Sequence, residues 1–266
     1  MPRVKLTIEY AGTRYSGWQI QKNARTVQGE IDRAVREVTG RRDFELHGSG
    51  RTDAGVHALA QVAHLDVSTN LPPESLRRRL NEELPADINV LAVSIVPHRF
   101  HARHHAMARR YLYQIATRRT AFAKPYVWWV KDPLDVPRMR EAAALLVGLR
   151  DFGSFAERED DDSDGTRADR STLVLVDRVE IGEAGGLVIV AVEGSHFLWK
   201  MVRRMTGVLV EIGRGSLEPA VIGDLLMGPS DVPARSTAPA SGLFLERVYY
   251  QGDRRDTPLT AATPLR

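Results

Sequence analysis

The chain has 266 residues, of which 43% are hydrophobic and 27% charged, a balance typical of a globular protein with a substantial core. It contains no cysteine, which excludes disulfides, thiolate metal sites and a cysteine nucleophile. The formal net charge is +3, and 32 of the 37 basic residues are arginine, whose planar guanidinium pairs with phosphates and stacks on bases.

The apolar pattern along the chain predicts two halves of similar make-up. The first half is predicted to contain strand 4–10, a helix running from a Thr26 cap to about Thr39, strand 61–67, helix 74–84 and strand 88–96. The second is predicted to contain strand 109–117, helix 136–147, strands 173–179 and 187–192, helices 197–212 and 218–226, and strand 242–250.

The order of these elements has no regular βαβ rhythm, which favours an α+β fold. We expect two similar α/β halves that share a largely antiparallel mixed sheet, with helices packed on it and a central cleft. The expected domains are 1–105, 106–252 and an irregular tail at 253–266. No run of about eighteen apolar residues occurs, and the chain begins directly with a strand pattern, so we expect no signal peptide and a cytoplasmic location.

The segment Gly50–Ala58, with the sequence Gly-Arg-Thr-Asp-Ala-Gly-Val-His-Ala, is the most informative part of the chain. Its two glycines permit positive φ or a close approach to a ligand. Neither Arg51 nor Asp53 fits an apolar periodicity that would bury it, so the loop is a candidate site. The alternative is a surface turn whose charged side chains are solvated.

Charge is unevenly distributed along the chain. Residues 97–119 hold six arginines and four histidines without an acid, whereas 157–170 hold seven acids and three arginines. The basic stretch is a candidate nucleic-acid footprint, although genomic composition would also enrich arginine overall. We interpret the acidic segment 157–164 as a solvated loop that limits non-specific contact with nucleic acid.

Several motifs together resemble the tRNA pseudouridine synthase A family. These are Gly50–Ala58, Arg109–Tyr113, Phe197–Arg204, Tyr10–Gln19, Phe100–Arg103, Asp151–Phe152 and Gly242–Leu245. The matching blocks extend over almost the whole chain, and the block around Asp53 is the most specific. The resemblance implies the pseudouridine synthase fold and the isomerisation of uridine to pseudouridine in the anticodon stem-loop of tRNA, at positions 38, 39 and 40.

The resemblance also implies roles for individual residues. Asp53 corresponds to the catalytic carboxylate, acting as a nucleophile or as the base in an elimination. Arg51 corresponds to the arginine that fills the space of the flipped base, Tyr111 to the active-site tyrosine, and Arg203 to the arginine that pairs with the carboxylate. Tyr113 lies outside the match and is interpreted as a core residue.

Further basic residues are candidate RNA contacts, and the family implies a homodimer in which one tRNA spans both subunits. The candidates are Arg14, Arg77, Arg78, Arg79, Arg103, Arg109, Arg110 and Lys200. The reaction requires no cofactor and no metal, so we expect none.

Two other classes of function stay open from the sequence. A non-catalytic tRNA-binding or tRNA-folding protein would not need Asp53. A metal-dependent nuclease or phosphatase would use Asp53 with His101, His104 and His105, but this histidine spacing without a nearby carboxylate or cysteine is a weak metal signal.

Overall fold

The computed structural model describes residues 3–157 and 171–265. The chain forms two compact units, Met1–Arg109 with Phe244–Thr257, and Arg110–Leu243 with Pro258–Arg266. Most strand pairs in the described ranges are antiparallel, which confirms the predicted α+β class. Over these ranges, no helix has both the length and the apolar character needed to span a membrane.

The strands and α-helices follow one another in a mixed order. They are β1 (Arg3–Tyr10), α1 (Val27–Thr39), β2 (Glu45–Gly48), β3 (His57–Asp66), α2 (Pro73–Glu83), β4 (Ile88–Val96), β5 (Ala108–Ala116), β6 (Trp128–Trp129), α3 (Val136–Leu145), β7 (Gly148–Asp151), β8 (Leu173–Ala184), β9 (Leu187–Gly194), α4 (Met201–Gly213), α5 (Val221–Met227), α6 (Val232–Arg235) and β10 (Leu243–Tyr249).

In the first unit, β3 pairs with three other strands, β1, β2 and β10. The strand order is β4–β1–β3–β10, and β1 is antiparallel to both of its neighbours. The start of β3, at His57 and Ala58, pairs in parallel with β10, while its end pairs antiparallel with β2. Residues 49–56 are therefore the connection of the β2–β3 hairpin.

The helices of the first unit begin and pack as their sequences predict. The Thr26 hydroxyl accepts a hydrogen bond from the backbone N–H of Gly29 at 3.2 Å and caps α1, which ends at the left-handed Gly40. In α2, Leu76 and Leu80 are buried, whereas Arg78 and Arg79 on the other face are exposed.

The second unit has the strand order β5–β9–β8–β7, with β6 parallel to β5 at the edge. Every residue of β9 is buried, as expected of a central strand. Helix α4 begins at Met201 and not at 197, because Lys200 has a left-handed φ of 58° that cannot continue a helix backwards.

The unit boundaries differ from the predicted domains. All of β10 except Leu243 belongs to the first unit, in which Phe244 and Leu245 pair with the start of β3, and residues 253–265 are divided between the units. Residues 253–265 contain no helix or strand, and two hydrogen bonds attach them to the sheet strands. The Thr257 hydroxyl lies 2.7 Å from the Tyr249 hydroxyl, and the Gln114 amide donates to the Thr263 hydroxyl at 2.8 Å.

Arg110 lies in the interior of the second unit, which corrects its prediction as an RNA contact. Its guanidinium is fully buried and donates to Glu180 at 2.7 Å, with Glu193 at 3.8 Å. Arg178 approaches Glu193 from the surface at 3.4 Å. Since Glu193 is also buried, the Arg110 charge balances a carboxylate that water cannot reach.

Substituting Arg110 should therefore destabilise the protein. We expect Arg110→Met to lower the free energy of unfolding by about 3–5 kcal/mol, because Glu180 and the buried Glu193 would both lose a counter-charge in the interior. Arg140, whose side chain forms an exposed pair with Glu183, is the control, and Arg140→Met should cost about 1 kcal/mol or less. Urea denaturation measures both values; equal losses in the two variants would contradict this account.

Three histidines of the first unit pack against one another. The His64 ring stacks on His47 with a centroid distance of 5.0 Å and lies 4.6 Å from His101. Its Nδ1 accepts a hydrogen bond from the Ala102 N–H at 3.2 Å. Burial, reinforced by the positive charge of Arg3 and by the neighbouring histidines, lowers the pKa of His64 from 6.5 to about 4.

This lowered pKa makes stability depend on pH. Between pH 6.5 and 4 the unfolded chain binds a proton at residue 64 that the folded chain excludes, so stability should fall as the pH is lowered through this range. We expect a loss on the order of 1–3 kcal/mol. His64→Asn keeps an acceptor for Ala102 without a titrating ring, and urea denaturation at pH 7 and 4.5 should show a smaller pH dependence in this variant. An unchanged dependence would refute the assignment to His64.

Candidate functional site

The loop at residues 49–56 is held by hydrogen bonds along most of its length. The Ser49 N–H donates to the Val62 carbonyl at 2.7 Å and extends the β2–β3 hairpin by one pair. Further on, the Val56 N–H donates to the Asp53 carbonyl at 3.1 Å and closes a tight turn. Asp53 is thus carried by a short connection whose two ends are anchored in the same sheet.

The segment that follows β1 packs directly against this loop. The Trp18 N–H donates to the Thr52 carbonyl at 3.0 Å. A Cβ on Gly12 would lie 1.9 Å from the Val56 carbonyl oxygen, and one on Gly17, which has φ of +90°, would lie 2.5 Å from the Thr52 oxygen. Only glycine allows the two backbones to approach this closely.

The two charged side chains of the loop differ in exposure. Arg51 is exposed, Asp53 is half-buried, and Thr52 between them is buried. Gly55 has φ of +80°, as predicted for a turn glycine, whereas a Cβ on Gly50 would meet open space and Gly50 has no positive φ. The loop therefore presents Arg51 and Asp53 while Thr52 faces inward.

His57 follows the loop and orders the chain around it. Its Nδ1 accepts a hydrogen bond from the Gly12 N–H at 3.0 Å, and its ring stacks on Phe244 with a centroid distance of 4.8 Å. The ring is almost completely buried. These contacts give His57 a structural role in ordering the loop.

The predicted tyrosines lie on β5, and their environments differ. Tyr111 is half-buried, and its ring makes an edge-to-face contact with Phe197 at 5.2 Å. Tyr113 is fully buried and donates its hydroxyl to the Pro239 carbonyl at 2.7 Å, which confirms its interpretation as a core residue. Burial raises the pKa of Tyr113 well above its ordinary value, so its hydroxyl stays protonated.

Arg203 lies in the first turns of α4 and is half-buried. Its Nε donates to the Ala238 carbonyl at 2.7 Å, and its own carbonyl accepts from the Ala238 N–H at 3.1 Å. These two bonds fix the guanidinium at its Nε edge. The rest of the planar fork is thereby held in one orientation.

Lys200 and Arg204, on either side of Arg203, both pair with Glu157. The Lys200 Nζ lies 2.6 Å from one Glu157 oxygen, and an Arg204 nitrogen lies 2.9 Å from the other. Burial alone would raise the pKa of Glu157, but these two cations hold it below its usual value. The remainder of the predicted acidic loop, residues 158–170, lies outside the described residues.

The other predicted RNA contacts of the first unit have different environments. Arg14 pairs with Asp87 at 2.8 Å, Arg77 with Glu74 at 2.5 Å and Arg78 with Glu82 at 3.9 Å. The side chains of Arg14, Arg78, Arg79 and Arg103 are exposed. Arg109 donates to the carbonyls of Ala106, Arg103 and Ser49 at 2.9–3.3 Å. Its guanidinium therefore joins the chain around residue 105 to the start of the Asp53 loop.

Sequence reasoning missed two polar residues beneath the loop. Gln61 is fully buried, and its amide contacts both Ser49 and Gly50. The Tyr10 hydroxyl lies 2.8 Å from the Thr52 hydroxyl. The available signal was the single amide at Gln61 in the apolar strand 61–67, because a polar residue at a buried strand position requires a partner.

The candidate metal ligands His101, His104 and His105 make contacts through their rings and with the backbone. His101 lies 4.2 Å from His104 between centroids, and its Nδ1 accepts from the backbone N–H of Arg103 at 3.2 Å. Across 3–157 and 171–265, no group of three or more histidine or acidic side chains has a geometry suited to a metal ion.

Comparisons with known proteins agree along nearly the whole chain. The family model described as tRNA pseudouridine synthase matches residues 6–105 and 142–251. A tRNA pseudouridine synthase A of Syntrophotalea carbinolica is 42% identical, covering 94% of this chain and 97% of the relative. One from Nitrobacter winogradskyi is 41% identical over 95% and 97%, and a tRNA pseudouridine synthase A 2 of Clostridium tetani is 38% identical over 93% and 98%. The chain therefore belongs to the tRNA pseudouridine synthase family.

Proposed function

We propose that this protein isomerises uridine to pseudouridine in the anticodon stem-loop of tRNA, at positions 38, 39 and 40. The observation that carries the proposal is the half-buried Asp53 on the anchored hairpin connection, in a chain that belongs to this family. In this reaction the C1′–N1 bond breaks, the uracil turns, and a C1′–C5 bond forms. C5 loses a proton and N1 gains one, so no oxidant, nucleotide or metal is consumed.

Asp53 supplies the carboxylate that this reaction needs beside the ribose and base. It either attacks as a nucleophile or removes a proton in an elimination, and both routes need the carboxylate in a fixed position. The anchored ends of its loop provide this fixed position. An aspartate on a flexible surface turn would spend less time in the reactive geometry, and the reaction would be slower.

The neighbouring site residues act on the base and on the carboxylate. Arg51, exposed beside Asp53, fills the space that the flipped uridine leaves and contacts the adjacent phosphate. The half-buried Tyr111 ring stacks on the uracil, and its phenol assists proton movement at C5. The family resemblance assigns to Arg203, whose Nε donates to the Ala238 carbonyl, the role of pairing with the catalytic carboxylate.

The proposed tRNA contacts of the first unit are the exposed Arg14, Arg78, Arg79 and Arg103 and the half-buried Arg77 and Arg109. In the second unit, Lys200 is a further proposed contact. We also propose that the protein acts as a homodimer in the cytoplasm, where its tRNA substrate is found. Arg110 is left out because its side chain is fully buried.

The role of Asp53 can be measured by the release of tritium from tRNA that carries 5-tritiated uridine. Asp53→Asn should lower the release rate by at least about 10²-fold, because the amide is neither a nucleophile nor a base, while tRNA affinity stays within a few-fold. Asp43→Asn, which alters an exposed carboxylate in the same unit, is the control and should keep the wild-type rate.

Running this assay with EDTA, together with a measurement of tRNA cleavage and phosphate release, separates the alternatives. Tritium release by the wild type that persists in EDTA supports the synthase, whereas cleavage or phosphate release that stops in EDTA, without any tritium release, would favour a metal-dependent nuclease or phosphatase. Equal release from wild type and Asp53→Asn would refute the catalytic role of Asp53. Binding without release would favour a tRNA-binding or tRNA-folding protein.

The basic face of α2 can be tested through the salt dependence of tRNA binding. Because each phosphate contact releases counter-ions, replacing Arg78 and Arg79 together with glutamine should weaken binding and reduce the slope of log affinity against log salt by about 1 to 2. The control replaces Arg33 and Arg36 of α1, which pair with Glu30 and Asp32. If the slope of log affinity against log salt changes equally in both double variants, Arg78 and Arg79 make no more contact with tRNA phosphates than Arg33 and Arg36 do.

A further inference from the structure

Four polar side chains are buried together beneath the Asp53 loop in the first unit. Tyr10 of β1, Gln61 of β3 and the loop residues Ser49 and Thr52 each have at most 6% of their surface exposed. Burial of so many polar groups is unfavourable unless they bond to one another or to the backbone. The hydrogen-bond partners of these four side chains therefore show which part of the loop the side chains hold in place.

Gln61 bonds to both residues at the start of the loop. Its Oε1 accepts from the Ser49 hydroxyl at 2.7 Å, and its Nε2 donates to the Gly50 carbonyl at 3.1 Å. The same Oε1 also accepts from the N–H of Val62 at 3.1 Å, which fixes the amide against its own strand. One side chain on a rigid strand thus determines the position of two residues that precede Arg51.

Tyr10 continues the network to the residue between the two charged side chains. Its hydroxyl lies 2.8 Å from the Thr52 hydroxyl and 3.5 Å from Nε2 of Gln61. Thr52 is held at a second point, since its carbonyl accepts from the Trp18 N–H at 3.0 Å. Since Thr52 is fixed by both its side chain and its backbone, the network also fixes the backbone that carries Arg51 and Asp53 on either side.

We propose that Gln61, with Tyr10, is a positioning residue that sets the orientation of Asp53 through Ser49, Gly50 and Thr52. Neither side chain touches substrate, because both are buried under the loop. The inference rests on the proposed catalytic role of Asp53. Under this proposal, two strand residues outside the Gly50–Ala58 motif determine how precisely the Asp53 carboxylate is positioned.

The first test replaces Gln61 with methionine, which has a similar shape but no amide. A displacement of the loop by a fraction of an ångström to 1 Å should lower kcat for tritium release by about 10–100-fold. KM and tRNA affinity should stay within about threefold, because the surface that binds RNA is unchanged.

Gln114 provides the matched control. It is also a fully buried glutamine, and its amide donates to the Tyr126 carbonyl and to the Thr263 hydroxyl, both at 2.8 Å. Gln114→Met should cost similar thermal stability while keeping kcat within about threefold of wild type, when both variants are measured well below their Tm. If Gln61→Met loses no more kcat than Gln114→Met, Gln61 has only a structural role and the proposal fails.

The second test is a double-mutant cycle on the Tyr10–Thr52 bond. Tyr10→Phe leaves the Thr52 hydroxyl buried without this partner, and adding Thr52→Val removes that unpaired group. We expect the double variant to have a kcat no lower than Tyr10→Phe alone, which is the signature of two residues acting through one bond. Independent, multiplying losses would overturn the role of Tyr10.

Asp53→Asn in the same assay separates this inference from the proposed function. An active Asp53→Asn protein would remove the basis of both. An inactive Asp53→Asn protein combined with a fully active Gln61→Met protein would leave the proposed function intact and reject the positioning role alone.

Discussion

The close approach of two backbone segments determines the shape of the candidate site. Residues 12–18 lie so near to residues 52–56 that neither Gly12 nor Gly17 has room for a Cβ. This contact, with the N–H of Trp18 on the Thr52 carbonyl, closes the loop from one side, while β2 and β3 hold it from the other. A larger residue at either glycine would have to displace the backbone that carries Asp53.

Elements with a strong apolar period were predictable from the sequence, and short elements without one were not. The ends of β4 and the Thr26 cap of α1 agree with the prediction because both rest on local signals. By contrast, β2, β6 and β7 have two to four residues each and exist through pairing with β3, β5 and β8, which no local pattern reveals. The start of α4 was misplaced because the left-handed backbone at Lys200 is not encoded by an obvious residue type.

The Gly50–Ala58 motif identified the charged side chains of the candidate site, but not the buried residues that hold the loop in place. Arg51 and Asp53 stood out because charged residues beside glycines break the apolar pattern. Gln61 and Tyr10 lie in strands whose alternation resembles ordinary core, and only the three-dimensional contacts show that both reach the loop. Arg110 illustrates the opposite error, since a basic residue in a basic stretch turned out to be the interior partner of Glu180 and Glu193.

The parallel pairing of β10 with the start of β3 has a consequence for how fast the protein folds. The strand that borders His57, and the Phe244 ring that stacks on it, are far from His57 along the chain. Until these distant segments meet, the start of β3 lacks this neighbour. Because contacts between distant segments form slowly, the framework around Asp53 is completed late in folding.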